Sequence, residues 1–257
     1  GSTAVEVAIK IALQYWQNRG EPRLRIAALE NAYHGDTFGA MSASERGLFT
    51  EPYGSHLFEV LRLAPHQVEE AIFDTDSAVA AIIVEPLLQG AGGMRMWSEA
   101  TLRQIREVTS ARGVLLIADE VLTGFGRTGP LFACERAGVV PDIICLSKGL
   151  TGGFLPLGAT AVQERIFEGF LSQDRRHTLF HGHSFTANPI ACAAALASLR
   201  LLDDTSAARR AAIERAHRTH LTKIAEHPRV TAPRVLGTVA AFNLAGNGVP
   251  GYLNPTS

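Results

Sequence analysis

The chain has 257 residues, 46% of them hydrophobic and 19% charged, with a formal net charge of −1. That is the composition of a globular domain. It carries no basic excess for nucleic acid, and its most apolar helical run, Pro189 to Leu199, is too short to span a bilayer. Three scattered cysteines, Cys134, Cys145 and Cys192, form no C-x-x-C pair, so a reducing, cytoplasmic setting without a disulfide framework is expected.

Thr3-x-x-Glu6 reads as a capping box, and behind it Val5, Ala8, Ile9, Ala12, Leu13 and Trp16 recur at helical spacing until Gly20. Leu24 to Leu29 predicts a short strand that leads into the polar turn Asn31 to Asp36. Residues 44–64 read as irregular, broken by Gly47, Pro52 and Gly54, and Val68 to Phe73 as helical. Val79 to Val84 is an apolar, β-rich strand ending in Glu85-Pro86, followed by the loop Gly90-Ala-Gly-Gly93. Ser98 is placed to cap a helix running to about Arg112.

Two further strands follow, Val114 to Asp119 and Ile143 to Leu146, then a third over Leu157 to Val162 and a short helix from Glu164. Asn188-Pro189 opens an Ala-rich helix, Ala207 to Ile224 forms another with a charged face, and Val235 to Leu244 reads as a strand. Strands alternating with helices predict a mostly parallel α/β sheet. The chain opens directly on a helix start and closes soon after a strand, which reads as a fragment of a longer protein.

Each of two apolar strands delivers one charged side chain at its C-terminal end: Asp119, beside Glu120, and Lys148. That edge of an open α/β sheet is where ligands bind. Lys148 alone is most simply a surface lysine. Beside Asp119 it becomes an amine held in a largely apolar site, where desolvation favours the nucleophilic form that attacks an aldehyde. A lysine anchoring pyridoxal phosphate (PLP) as a Schiff base, with a carboxylate on the pyridinium nitrogen, fits the pair. Gly1-Ser2-Thr3, at a helix N-terminus, could receive the cofactor phosphate.

Gly124-Phe-Gly126-Arg-Thr-Gly129 raises a rival dinucleotide site. Asp119 and Glu120 would set negative charge beside a pyrophosphate, no helix begins at the third glycine, and no acid ends a strand about 20 residues on, so the motif is discounted. His177, His181 and His183 fit no ordinary zinc spacing and read as loop histidines, with no metal expected.

The stretches Gly1-Ser-Thr-Ala-Val-Glu6, Ala32-Tyr-His-Gly-Asp36, Val84-Glu-Pro86, Ala118-Asp-Glu-Val121, Thr123 to Gly129, Ser147-Lys-Gly149 and His181-Gly-His-Ser-Phe185 resemble the class III aminotransferases of PLP fold type I. The resemblance implies a large PLP-binding domain over residues 1–203, with a mostly parallel sheet of the seven-stranded type flanked by helices. Residues 204–257 would begin a small α/β domain. It implies that Lys148 anchors PLP and shuttles the substrate proton, that Asp119 pairs with the ring nitrogen, and that Gly1 and Ser2 hold the phosphate. Tyr33 would stack on the ring and face substrate, with Asp36 and Arg127 as polar substrate contacts. Gly182, His183 and Ser184 would reach the site of a partner subunit in a homodimer.

Tyr33 to Ser42, Gln89 to Met96, Leu131 to Glu135 and Asn188 to Ala195 are most similar to the biotin-pathway branch of that family. That branch implies S-adenosylmethionine as amino donor and 8-amino-7-oxononanoate as acceptor, giving 7,8-diaminononanoate. Glutamate-using relatives carry Glu where this chain has Ala91 and often Gln where it has Leu122, so both residues argue for a donor other than glutamate. The alternatives are another ω-amine or β-amino acid transaminase, or a chain that binds PLP without turnover.

Overall fold

The computed structural model describes residues 1–69 and 79–246. Its centre is a six-stranded sheet of β1 (Arg25–Leu29), β2 (Leu61–Leu63), β3 (Val79–Val84), β6 (Leu115–Asp119), β7 (Ile143–Leu146) and β8 (Ala159–Val162), in the order β2-β1-β3-β6-β7-β8. Every pair is parallel except β7 with β8, an antiparallel edge. The described residues thus supply six strands of this sheet where seven were expected. Two short strands, β4 (Leu88–Gln89) and β5 (Arg95–Met96), pair outside it.

β3 and β6 are buried at every position, which explains their unbroken apolar runs: a central parallel strand is covered on both faces. The two faces separate at a period of two. Ala81, Ile83, Leu115, Ile117, Ile143 and Cys145 pack toward α1 (Ser2–Asn18), with Val5, Ala8, Ile9 and Ala12. Ile82, Val84, Leu116 and Ala118 pack on the other side with Leu102 and Ile105 of α3 (Glu99–Arg112). Each fully buried side chain of this kind contributes about 2–3 kcal/mol. Ser98 caps α3 as expected, its Oγ accepting from Thr101 N at 3.1 Å.

Several local expectations change. Thr3 does not cap α1; the helix begins at Ser2, with Gly1 as N-cap and no side-chain cap. Glu6 instead turns outward to cap α2 (Phe38–Ala43), accepting from Thr37 Oγ1 at 2.5 Å, Gly39 N at 2.7 Å and Ala40 N at 2.9 Å. Residues 44–64 are not wholly irregular: they contain a 3₁₀ turn (Glu51–His56) and β2, an edge strand too short to leave a periodic signal. Of the helix expected over Val68 to Phe73, residues 68 and 69 are helical and 70–73 lie outside the described residues. The final strand is a hairpin, β9 (Val230–Leu236) and β10 (Val239–Leu244), because Gly237 (φ 56°) makes a two-residue turn.

Three short helices follow the same chain order, α4 (Ala133–Ala137), α5 (Glu164–Glu168) and α6 (Pro189–Arg200), before the long α7 (Asp204–Ile224). The later elements are tied back to the first part of the chain: Arg210 of α7 donates to Gly129 O, and Thr238 N to Arg127 O. Asp142, 2% exposed, gathers Arg106, Arg165 and the Leu116 amide, fixing α3 and α5 to the sheet just before β7.

Candidate active site

Adjacent acids at the end of β6 point to opposite faces, as alternation along a strand requires. Asp119 shares the α1 face with Ile117. Glu120 goes to the other side, where its carboxylate accepts from Ala133 N, Cys134 N and Thr123 Oγ1 and so caps α4. Burial raises the Glu120 pKa above the ordinary carboxylate value. Glu120 is therefore a structural cap, and Asp119 is the acid left for chemistry.

Asp119 is 4% exposed, and each carboxylate oxygen holds one donor. Val121 N donates to Oδ1 at 3.1 Å, and His34 Nδ1 lies 2.7 Å from Oδ2. A carboxylate offers about four acceptor positions, so capacity remains for a further N–H. His34 was not singled out from sequence. It is 3% exposed, in the turn after β1.

β6 and β7 are neighbours, with Asp119 in register with Cys145. Lys148 follows three residues on, at the start of a 3₁₀ turn (Lys148–Thr151), with φ 43°. This left-handed geometry is strained for a non-glycine residue. Gly149 lets the turn pack closely, since a Cβ there would lie 2.7 Å from Phe125 Cβ. Lys148 is exposed, so these residues do not supply the apolar enclosure expected for it.

The start of α1 completes the group. Gly1 N lies 3.2 Å from Oγ of Ser147, the residue before Lys148. A Cβ on Gly1 would fall 2.9 Å from Val121 Cγ1, so a larger residue would not fit. Ser2 Oγ accepts from Asp36 N at 3.1 Å, and Gly35 (φ 132°) packs directly on Ser2. The first turn of this 17-residue helix has neither a side-chain cap nor an acidic residue. Its dipole and free N–H groups suit an anion.

Tyr33 is 39% exposed at the same edge; its hydroxyl donates to Asp36 Oδ2 at 2.9 Å. Glu85, 3% exposed, accepts from Tyr33 N and Gly90 N, both at 3.0 Å, joining the Tyr33 turn to the glycine loop. Burial lifts the Glu85 pKa from 4.5 to about 6, with His34 and the two amides partly opposing it. A cavity of about 720 Å³ opens beside Tyr33 and Asp36, lined also by Met41, Arg46, Phe49 and Ala91.

Arg127 is half-buried, with its Nε donating to Leu122 O at 2.6 Å. Leu122 in turn presses on Gly90, where a Cβ would strike Leu122 Cδ2. Ala91 and Leu122 thus border the same loop. Gly182, His183 and Ser184 are exposed in a segment that Lys10 holds through Phe180 O and His181; none of their hydrogen bonds reaches Lys148, Asp119, Ser2 or Tyr33. Among the described residues, no group of three or more His, Cys, Asp and Glu side chains is placed to hold a metal ion. Burial pushes the Cys134 and Cys145 thiols up, which removes both as nucleophiles.

The donor set fits PLP: an anion-binding helix start, a buried carboxylate with spare acceptor capacity, and a lysine at the next strand end. A mostly parallel sheet delivering these groups at its C-terminal edge is the architecture of the fold type I PLP enzymes, and solved relatives agree. An adenosylmethionine-8-amino-7-oxononanoate aminotransferase from Methanocaldococcus jannaschii superposes with a TM-score of 0.89 at 33% identity, covering 95% of this chain and 59% of that one. An amine transaminase from an uncultivated Pseudomonas species, in its PLP-bound form, superposes with a TM-score of 0.87 at 35% identity, covering 96% of this chain and 61% of that one.

The aminotransferase class-III family matches residues 1–250, and the chain belongs to that family. The adenosylmethionine-8-amino-7-oxononanoate aminotransferase of Synechococcus elongatus is 53% identical across 99% of this chain and 63% of its own length. That of Nitratidesulfovibrio vulgaris is 43% identical across 96% of this chain and 50% of its own. The chain therefore spans between half and just under two thirds of the length of these curated relatives.

Proposed function

We propose that the protein is a PLP-dependent transaminase that transfers the amino group of S-adenosylmethionine to 8-amino-7-oxononanoate, giving 7,8-diaminononanoate. The observation that carries the reading is the convergence of Lys148, the Asp119 carboxylate and the uncapped start of α1 at one sheet edge. PLP held there would supply an electron sink that stabilises negative charge at the substrate Cα.

The chain's own residues do the rest. Gly1 and Ser2 bind the phosphate through the α1 N-terminus. Asp119 keeps a proton on the ring nitrogen. Lys148 Nζ anchors the cofactor, then takes and returns the Cα proton as general base and acid. Tyr33 would stack on the cofactor ring and face substrate, while Asp36 and Arg127 would be polar contacts for substrate. Gly182, His183 and Ser184 serve the partner's site in a homodimer. Their exposure beside Phe180 and Phe185, 74% and 81% exposed, and Ile190, 67% exposed, supports that arrangement. Residues 1–203 form the large domain and those from 204 onward begin a small one. No helix among the described residues is long and apolar enough to cross a membrane. Three unpaired cysteines support a reducing, cytoplasmic location.

The substrate pair rests on the named relatives and on Ala91 and Leu122, which stand where glutamate-using relatives carry Glu and often Gln. The full-length protein is assayed with S-adenosylmethionine and the keto acid, and product is expected. Turnover with pyruvate or 2-oxoglutarate but not with this pair rejects the substrates and spares the fold. The likeness to the amine transaminase favours a second reading, a broader ω-amine transaminase, which a screen of amino donors separates.

A further inference from the structure

We propose that Thr238, in the turn of the closing hairpin, is a positioning residue for Arg127: it holds the loop that aims the Arg127 guanidinium at substrate. The inference rests on the reading of Arg127 as a substrate contact given above, and adds to it a residue from beyond the large domain.

The loop needs holding. Across 125–129 three residues carry positive φ, Phe125 at 58°, Gly126 at 86° and Gly129 at 114°. Phe125 is not glycine, and such backbone persists only where its surroundings fix it. The loop carbonyls show how this is done. Gly126 O accepts from Gly129 N at 3.1 Å within the loop, and Thr128 O from Arg136 Nη1 of α4 at 3.0 Å. The other two are held from the far end of the chain. Gly129 O accepts from Arg210 Nε of α7 at 3.0 Å. Arg127 O accepts from both Thr238 N at 2.9 Å and Thr238 Oγ1 at 3.1 Å. A carbonyl oxygen has two lone pairs, so Thr238 by itself fills it.

Thr238 is fixed in its turn. Its carbonyl accepts from His217 Nε2 at 3.1 Å, and His217 stands about two turns along α7 from Arg210, on the same face. Leu236 packs against the core cluster that includes Ala133, Cys134 and Ala137. At Gly237 a Cβ would lie 2.6 Å from Arg127 O, so the hairpin turn and the loop meet backbone to backbone.

The Arg127 side chain depends on this arrangement. Its Nε donates to Leu122 O at 2.6 Å, across the base of the same loop. Among the described residues Nη1 and Nη2 make no hydrogen bond, which leaves them as an open two-pronged donor. Where that fork points is set by residue 127 relative to residue 122. Docking the hairpin needs no hydroxyl, because the Thr238 amide, the His217 bond and Leu236 serve it. The hydroxyl adds a second restraint on residue 127 itself.

The test uses full-length protein with PLP and both proposed substrates. Arg127→Gln, which loses the fork, should raise the KM of the substrate that the guanidinium holds. For that substrate Thr238→Val, which removes only the hydroxyl, should raise KM about fivefold, the worth of one neutral hydrogen bond, with kcat within about twofold. Thr238→Ser should return KM to the parent value. In the Arg127→Gln background Thr238→Val should add nothing further, because the two residues act as one unit. Thr238→Ala makes the same deletion if valine does not fit. The second readout is hydrogen–deuterium exchange in the apoprotein. Peptides covering 122–130 should exchange severalfold faster in Thr238→Val than in the parent or in Thr238→Ser, and peptides covering α1 and β3 should not change. An unchanged KM or unchanged exchange of the loop overturns the proposal. Equal effects of Val and Ser, an effect that adds in full to that of Arg127→Gln, or faster exchange throughout α1 and β3 also overturn it. Arg127→Gln that leaves both KM values at the parent level overturns the reading of Arg127 itself, and the role of Thr238 with it.

Discussion

Glu85→Gln gives a quantitative test of the electrostatics behind the site. Glu85 is 3% exposed, and burial raises its pKa from 4.5 to about 6. The native protein therefore holds a proton that the unfolded chain releases. The associated stabilisation is fully present below about pH 4.5 and is lost as pH rises through about 6, where the buried carboxylate ionises. At about 1.4 kcal/mol per pK unit, this corresponds to about 2 kcal/mol. Glutamine stays neutral throughout and accepts from one of the two amides, so its own cost does not vary with pH. Chemical denaturation of both proteins from pH 4.5 to 7.5 isolates the term. The stability of the parent relative to Glu85→Gln should fall by about 2 kcal/mol across that window. A difference that stays flat, or that grows with pH, refutes the account of Glu85 as a carboxylate whose burial outweighs its His34 and amide partners.

Other substitutions probe the remaining supports. Asp142→Ala leaves the mostly buried Arg106 and the Leu116 amide without their carboxylate partner, and should cost about 3–5 kcal/mol in denaturant unfolding. Glu6→Ala leaves the N–H groups of Gly39 and Ala40 at the start of α2 uncapped, and should cost about 1–2 kcal/mol by the same measurement. Gly35→Ala is opposed twice, by a φ of 132° and by collision with Ser2, so it should displace the start of α1 and weaken PLP binding about tenfold or more in a titration of apoprotein.

The sequence made Asp119 and Lys148 legible because each ends an apolar strand, and strand ends at one sheet edge are where chemistry collects. It made Ser98 legible as a cap and Asn188-Pro189 as a helix start, since a capping side chain acts within three residues; Asn188 Oδ1 accepts from Ile190 N and Ala191 N. The same local logic misassigned Glu6. Its spacing from Thr3 fits a capping box, yet its partners lie more than 30 residues away in α2. Glu120 ends the same apolar run as Asp119, and only the alternation of faces sends it to α4. His34 carried no signal in isolation. Its partner stands 85 residues on, and nothing short of the folded turn joins them. The first strand of the closing hairpin was hidden because Thr231, Pro233 and Arg234 break its apolar pattern.

Identifying the lysine that PLP modifies tests the central claim most directly. Full-length protein incubated with PLP, reduced with borohydride and digested should yield a pyridoxyl label on the peptide carrying Lys148. A label on Lys10 or Lys223, this chain's other lysines, or no label on it at all, would contradict the assignment.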